Sequence, residues 1–150
     1  MGKNSTLYAE DFYTWCLTTA ALVREGGWCD IDADALAEEI ESMARRQKNE
    51  LKSRIQTLVM HLLKWCHQPE EHQYHGHSWR STINEQRKEL ELLLQDNPSL
   101  SHQLQEVLDE RYPQARKHAS NETGLPLSTF PQACPWKIEQ ILDDDFWPTG

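Results

Sequence analysis

Residues 28–68 include neither glycine nor proline, so no residue in this stretch breaks a helix. Asp32 suits the cap position at the start of such a helix, and Pro69 predicts its end. Apolar side chains recur between these two residues at steps of three and four or at sums of these steps: Leu36, Ile40, Met43, Leu51, Leu58, Leu62 and Trp65. The pattern predicts one amphipathic helix over residues 32–67, roughly 50 Å long, which needs packing partners along its whole apolar face.

The flanking segments predict further helices. A first helix is expected from Thr6 or Leu7 to Gly26, because glycine readily adopts the conformation that ends a helix. After a polar loop over residues 69–77, Ser78 can cap a third helix. A fourth helix is expected to start with Asn97 as its cap and Pro98 as its first residue, and to end at Gly124. Pro113 is expected to kink or divide it.

The tail, residues 125–150, is rich in proline and aromatic residues, and a short helix is predicted over residues 136–142. Strand signals are missing from the sequence. We therefore expect an all-α fold, an irregular helical bundle around one long central helix. The aromatic, proline-rich C-terminal tail is expected to pack across this bundle through its aromatic side chains. A chain of 150 residues suits a single domain, residues 1–150.

Composition limits the classes of function. The net charge of −9 argues against a general nucleic-acid binder, which needs a basic face to neutralise phosphates. No apolar run is long enough to cross a bilayer, so no membrane partner is expected. The four cysteines are widely spaced, a pattern that favours reduced thiols in a soluble cytoplasmic protein.

Polar side chains interrupt the apolar face of the long helix. Gln47, Arg54 and His61 follow one another at seven-residue steps, and Glu50 and Glu39 lie at the edge of the same face. One interpretation is structural: Glu50 and Arg54 form an ion pair, and His61 bonds to a backbone carbonyl or to the tail. The other is functional: these residues line a polar cleft, to which the third helix contributes Arg80, Glu85 and Gln86. The structural interpretation is favoured, because ion-pair networks often resemble sites.

Two groups of residues could suggest a metal, and neither has a standard spacing. Glu38, Glu39 and Glu41, with Asp34 before them, lack the Glu-x-x-His pairs of di-metal bundles, which favours a solvated acidic face. The other group matches no zinc-finger pattern and consists of His61, Cys66, His67, His72, His75 and His77. We expect no cofactor and no physiological metal. The basic residues Arg45, Arg46, Lys48 and Lys52 are expected to form a solvated face, with an acidic partner as the alternative.

Several strings together resemble a bacterial family called domain of unknown function 29. They are Tyr8-x-x-Asp11-Phe12-Tyr13-x-Trp15, Glu38-Glu39-Ile40-Glu41-Ser42-Met43, His61-Leu62-Leu63-Lys64-Trp65-x-x-Gln68-Pro69, Ser78-Trp79-Arg80-x-Thr82-Ile83-x-Glu85-Gln86-Arg87, Tyr112-x-x-Ala115-Arg116, Glu122-Thr123-Gly124-Leu125 and Phe130-Pro131-x-x-Cys134-Pro135. The resemblance implies a small all-helical protein and no particular activity. The chain departs from the expected pattern at Ala44, where glycine is expected, and at Pro113, which interrupts a helix expected to be continuous.

Three functional hypotheses follow. The first is a non-enzymatic module that binds a protein partner or a second copy, because the apolar face is longer than the short flanking segments can cover. The second is a hydrolase of small phosphorylated or nucleotide substrates, although the sequence has no phosphate loop, nucleophile elbow or zincin motif. In that hypothesis His61 is the acid or base and Arg80 the anion clamp, with Glu85, Glu50 and Arg54 as neighbours. The third, nucleic-acid binding through the basic residues, is the weakest.

Overall fold

The computed structural model describes residues 3–150, with side chains from Thr6 onward. All the secondary-structure elements of this part are helices, as predicted. The six α-helices in the described range are α1 (Lys3–Glu10), α2 (Phe12–Glu25), α3 (Ala33–His67), α4 (His72–Asp96), α5 (Leu104–Thr123) and α6 (Ile138–Leu142). Contacts divide the chain into two compact units: unit 1, Met1–Arg46, and unit 2, Gln47–Gly150. Their folding as the single domain expected above stays a prediction.

The long helix is confirmed. α3 runs for 35 residues, and the Asp32 carboxylate accepts a hydrogen bond from the Ala35 N–H at 3.1 Å, as a capping residue does. No glycine or proline interrupts it before Pro69. Within residues 3–150, no helix combines the length and the apolar character that crossing a bilayer requires.

The first predicted helix is instead two helices, because Asp11 caps a new one. The Asp11 carboxylate accepts hydrogen bonds from the Thr14 backbone N–H at 3.1 Å and from the Thr14 hydroxyl at 2.7 Å. An aspartate that bonds the backbone in this way favours a helix start over a helix interior. α2 ends as predicted, at Gly26, whose φ of 74° is the left-handed conformation that suits glycine.

Unit 1 has a small core. Its buried side chains among the described residues are Trp15, Thr19 and Ala35. The Trp15 indole is the largest of them, with the Tyr8 ring 4.6 Å and the Phe12 ring 5.8 Å from it. The Tyr8 hydroxyl donates a hydrogen bond to the Glu39 carboxylate and so joins α1 to α3; this bond is the main reason that the pKa of Tyr8 rises to about 12.

Unit 2 contains the main hydrophobic core, built on the second part of α3. Leu51, Ile55, Leu58 and Leu62 are fully buried and recur at steps of four, three and four, so they face one side of the helix. α4, α5 and the tail pack around this face through Ile83, Leu90, Val107, Ala115, Phe130 and Ile141. The core therefore supports the polar residues of α3 that lie beside this face.

The predicted polar loop over residues 69–77 is largely helical. Pro69–Glu71 forms a 3₁₀ turn, and α4 begins at His72, so Ser78 lies inside the helix rather than at its cap. The His72 ring donates a hydrogen bond to the Trp65 carbonyl at 2.8 Å and stacks on the Trp65 indole with ring centroids 3.8 Å apart. These contacts hold a polar segment in helical form, which hydrophobic periodicity alone does not reveal.

α5 continues through Pro113 to Thr123, so Pro113 does not divide this helix, and the kink expected as the alternative stays a prediction. Proline leaves the carbonyl four residues earlier without a donor, and here that residue is the exposed Asp109, where water can serve instead. Asn97 and Pro98 start a 3₁₀ turn, Pro98–Gln103, before α5, and Gly124 ends α5 with a φ of 73°. The short tail helix is confirmed as Ile138–Leu142.

Arg87 of α4 binds the tail through hydrogen bonds. Its guanidinium donates hydrogen bonds to the Ile141 carbonyl at 2.9 Å and to the Phe146 carbonyl at 2.7 Å, and it lies 5.3 Å from the centre of the Trp147 ring. The residue is only 2% exposed, and burial lowers the pKa of its guanidinium. A buried arginine is tolerated here because two backbone carbonyls and an aromatic ring replace much of its water.

Candidate functional site

The polar residues that interrupt the apolar face of α3 make structural contacts. The Arg54 guanidinium donates to the Glu50 carboxylate at 2.9 Å and to the Gln86 side-chain oxygen at 3.2 Å, and it lies 3.7 Å from the Glu89 carboxylate. The ion pair between Glu50 and Arg54 that the structural interpretation predicted is therefore formed. Gln47, seven residues before Arg54 on the same face, accepts a hydrogen bond from the Asn97 side chain at 3.3 Å.

His61 lies in a different set of contacts. Its Nδ1 is 2.9 Å from the Thr57 carbonyl oxygen; a carbonyl can only accept, so this nitrogen carries the proton. This is the backbone bond that the structural interpretation predicted. Nearby, the Lys64 ammonium donates to the Glu122 carboxylate at 2.7 Å. Burial lowers the pKa of His61, and the Lys64 charge adds to this effect, while the bond to Thr57 and the Glu122 charge oppose it.

Two half-buried imidazoles predict a pH dependence of stability. The pKa of His61, and that of His67, is lowered by burial from its ordinary value of 6.5. Between the lowered pKa and 6.5 the unfolded chain binds more protons than the folded chain, so the free energy of unfolding falls as the pH drops through this window. Urea unfolding at about pH 7.5 and about pH 5.5 should show this loss, and His61→Gln should reduce it. An undiminished loss in His61→Gln would contradict the assignment to His61.

Arg80 and Glu85 do not join the Arg54 contacts. The Arg80 guanidinium lies 5.3 Å from the ring centres of both Trp65 and Trp147, in cation–π geometry. Glu85 is exposed. A pocket of about 300 Å³ lies beside Arg80 and is lined by Trp65, His72, Gly76, His77 and Arg80. Of the five candidate catalytic residues, the contacts within residues 3–150 bring together Glu50 and Arg54, and place His61 and Arg80 with other partners.

The clustered histidines are used for packing. His72 stacks on Trp65, His75 stacks on Trp79 at 5.6 Å, and His67 meets the Phe130 ring edge-on at 5.2 Å. In the part of the chain that the structure describes, no three of the histidine, cysteine, aspartate and glutamate side chains are arranged to hold a metal ion. His72, His75 and His67 therefore pack against three different aromatic rings, those of Trp65, Trp79 and Phe130.

The basic residues of α3 mostly have acidic neighbours. Arg45 lies 3.8 Å from Glu41, Arg46 lies 3.9 Å from Glu39, and Lys52 lies 3.1 Å from Glu110. Pairing of this kind reduces the positive potential that a phosphate backbone requires.

Unit 1 carries a surface that sequence periodicity did not identify as exposed. Among the described residues, seven of the ten large apolar side chains that remain exposed lie in this unit: Phe12, Tyr13, Leu17, Val23, Trp28, Ile40 and Met43. We refer to these seven residues as the unit 1 apolar surface. Seven exposed large apolar side chains are many for a unit of this size, because such side chains are normally exposed singly and a concentration of them favours an interaction site.

The α3 part of this surface belongs to the predicted apolar stripe. Periodicity places Ile40 and Met43 on one face with Leu58 and Trp65, but each of the two is 58% exposed. The buried or half-buried side of this part of α3 is instead formed by Ala35, Glu39 and Ser42, about a quarter turn away. The elements of unit 1 therefore pack beside the stripe and leave it uncovered.

The α2 part of the surface is new. Tyr13 and Leu17 are four residues apart, so they lie on one face of α2, turned away from the buried Trp15 and Thr19. Tyr13 is 74% exposed, and Trp28, just after α2, is 64% exposed. The sequence contained one signal for this exposure, because apolar residues recur on more than one face of α2. An amphipathic helix that packs against one partner needs only one apolar face.

Comparison with known proteins supports the resemblance noted above. The family model described as Domain of unknown function DUF29 matches residues 7–147. No curated protein and no solved structure matches the chain. The matched range takes in both the unit 1 apolar surface and the core of unit 2. Because the match covers nearly the whole sequence, the chain belongs to the family of Domain of unknown function DUF29.

Proposed function

We propose that this chain is a protein-interaction module, and that the unit 1 apolar surface is where its partner binds. The observation that carries the proposal is the concentration of exposed large apolar side chains in residues 12–43. A partner that covers them removes apolar area from water, which is the main driving force of most protein association.

The size of the surface fits this role. With about 150–250 Å² for the full area of a large apolar side chain, the exposed fractions of the seven residues amount to roughly 700 Å². A standard stable interface uses about 800 Å² on each partner. The three aromatic residues on the surface, Phe12, Tyr13 and Trp28, include the residue types that most often dominate binding energy.

The hydrolase hypothesis receives less support. It requires His61, Arg80 and Glu85 to face one enclosed pocket, where an acid or base and an anion clamp can reach one substrate. His61 is instead engaged with Thr57, and Arg80 with two indole rings. The interaction hypothesis needs no such convergence, and we favour it for that reason.

Site-specific photo-crosslinking in the native cells tests the proposal. A crosslinking residue at Leu17 or at Ile40 should give a discrete adduct with a polypeptide, because both positions lie on the unit 1 apolar surface. The matched controls are Leu92 and Leu127, exposed apolar residues of unit 2, which should give little or no adduct. Equal labelling at all four positions, or none at Leu17 and Ile40, would contradict the proposed binding surface.

A further inference from the structure

The pocket beside Arg80 combines one permanent cation with an aromatic lining. Its volume is about 300 Å³, and it is lined by Trp65, His72, Gly76, His77 and Arg80. Small-molecule sites are concave and mostly apolar, carry a few polar groups and begin at about this volume. All five residues lie in unit 2, and none belongs to the unit 1 apolar surface. The pocket therefore suits a small molecule.

The Arg80 guanidinium is held in place and has free donors. It lies over the Trp65 and Trp147 rings, 5.3 Å from each ring centre, and the two ring centroids are 4.9 Å apart. Contact with aromatic faces uses the charge of a guanidinium and leaves its five N–H groups available. Among the described residues, no side chain or carbonyl accepts a hydrogen bond from Arg80. Its donors are therefore available to a ligand, and the two indoles restrict the positions that they adopt.

Other arginines with defined positions already have acceptors. Arg54 donates to the Glu50 carboxylate. Arg87 and Arg116 donate to backbone carbonyls. The chain has 24 acidic residues against 15 lysines and arginines, yet within the described residues no acidic side chain lines the pocket beside Arg80. The lining therefore carries an uncompensated positive charge, which attracts an anion.

Gly76 contributes to the lining without a side chain. It lies inside α4, where glycine is less favourable than alanine. A Cβ atom at this position would lie 3.3 Å from the His72 Cβ and 3.9 Å from the Trp65 ring. Glycine therefore leaves His72 stacked on Trp65 and keeps a methyl group out of the pocket.

Charge and geometry favour a carboxylate over a phosphate. A guanidinium can donate two parallel hydrogen bonds to the two oxygens of one carboxylate. The single permanent cation of the lining also balances the single charge of that group. A phosphate monoester carries about −1.5 to −2 charges at neutral pH, so part of its charge would stay uncompensated. The Trp65 indole and the bare backbone at Gly76 suit an apolar body attached to the carboxylate.

We propose that this pocket binds a small organic carboxylate. The Arg80 guanidinium donates to the carboxylate, and the apolar body of the ligand lies against Trp65 and Gly76. The inference goes beyond the proposed function, because it concerns other residues and a small-molecule ligand. It involves binding alone and no chemical step.

A nuclear magnetic resonance titration of the isotope-labelled full chain with sodium benzoate tests the site. The Trp65 indole N–H and the Gly76 amide should show saturable shifts, with a dissociation constant at or below about 10 mM. Benzyl alcohol has the same ring without the charge and should bind weaker by roughly tenfold or more. Inorganic phosphate should likewise bind weaker by roughly tenfold or more. Phosphate that binds as tightly as benzoate would overturn the assignment to a carboxylate.

Variants of the lining test the roles of Arg80 and Gly76. Arg80→Gln should raise the dissociation constant for benzoate by roughly tenfold or more, and Arg80→Lys should raise it less, because lysine keeps the charge and loses the fork of donors. Gly76→Ala should also weaken binding, since its methyl group enters the lining. Arg24→Gln is the matched control: Arg24 is exposed, as Arg80 is, and its loss should leave the affinity unchanged. The amide spectrum of each variant checks that it remains folded.

Three results would overturn the proposal. The first is an absence of saturable shifts at Trp65 and Gly76 in the wild-type chain. The second is a benzoate affinity that Arg80→Gln leaves unchanged. The third is an equal loss in Arg80→Gln and Arg24→Gln, which would indicate adventitious pairing of benzoate with exposed arginines. The comparison of benzoate with benzyl alcohol uses the wild-type chain alone, so it still decides the case if Arg80→Gln does not fold.

Discussion

Replacing Arg87 with alanine is expected to lower the free energy of unfolding by about 3 kcal/mol, since hydrogen bonds to a charged group contribute roughly 1.5–3 kcal/mol each. The side chain holds two tail carbonyls, those of Ile141 and Phe146, and packs against the Trp147 ring. Alanine leaves both carbonyls without their donor and removes the packing of the long side chain. The tail from Ile138 onward should therefore lose protection first.

Urea unfolding and amide hydrogen exchange measure this effect. Exchange should accelerate most in α6 and the residues after it, and less in the second part of α3. Arg87→Lys should fall between wild type and alanine, because one ammonium group cannot reproduce the fork of donors that meets two carbonyls. Lys88→Ala is the matched control: Lys88 is exposed, with a 3.4 Å contact to Glu91, and its loss should change stability by less than about 0.5 kcal/mol. Wild-type stability in Arg87→Ala would refute the role of Arg87 in holding the tail.

Leu58→Ala is expected to destabilise the chain by about 2–5 kcal/mol, the range measured for leucine in a tightly packed core. Leu58 is fully buried in the core of unit 2, between the second part of α3 and its neighbours. The loss combines the transfer energy of the deleted methyl and methylene groups with the cost of the cavity they leave. Thermal and urea unfolding give the change directly.

The control for this variant is Leu92→Ala. Leu92 is the same residue type in the adjacent α4 but is 41% exposed, so its truncation should alter stability by less than about 0.5 kcal/mol. Similar losses at the two positions would show that burial does not determine the contribution of these leucines.

The helices were predictable where local chemistry decides them. Asp32, Gly26 and Gly124 mark helix ends through capping and backbone conformation, which depend on neighbouring residues only. The start of α4 was not predictable in this way, because the contacts that stabilise its first turn come from Trp65, seven residues before His72 and on another helix. Asp11 could have been recognised as a cap, since Thr14 follows it at the spacing of a capping bond.

The candidate site shows the same limit. Periodicity places Ile40 and Leu58 on one face of α3, but it does not say whether another element covers that face at both positions. Likewise, the spacing of Gln47, Arg54 and His61 predicted their common face, and the structural interpretation predicted bonds for Arg54 and His61 but none for Gln47. Their distribution over separate partners depends on α4 and α5. Exposure depends on packing between segments that are distant in the sequence, and the periodicity of one helix does not reveal that packing.

The positions of the tryptophans make the two units optically distinguishable. Two of the six, Trp15 and Trp28, lie in unit 1, and the other four lie in unit 2. Trp28 is largely in solvent, while the Trp65 indole is buried and stacked on the His72 imidazole. Phenylalanine variants that retain the tryptophans of one unit would therefore give each unit a fluorescence signal of its own. Partner binding at the unit 1 apolar surface could then be read from the emission of Trp28 without interference from the core of unit 2.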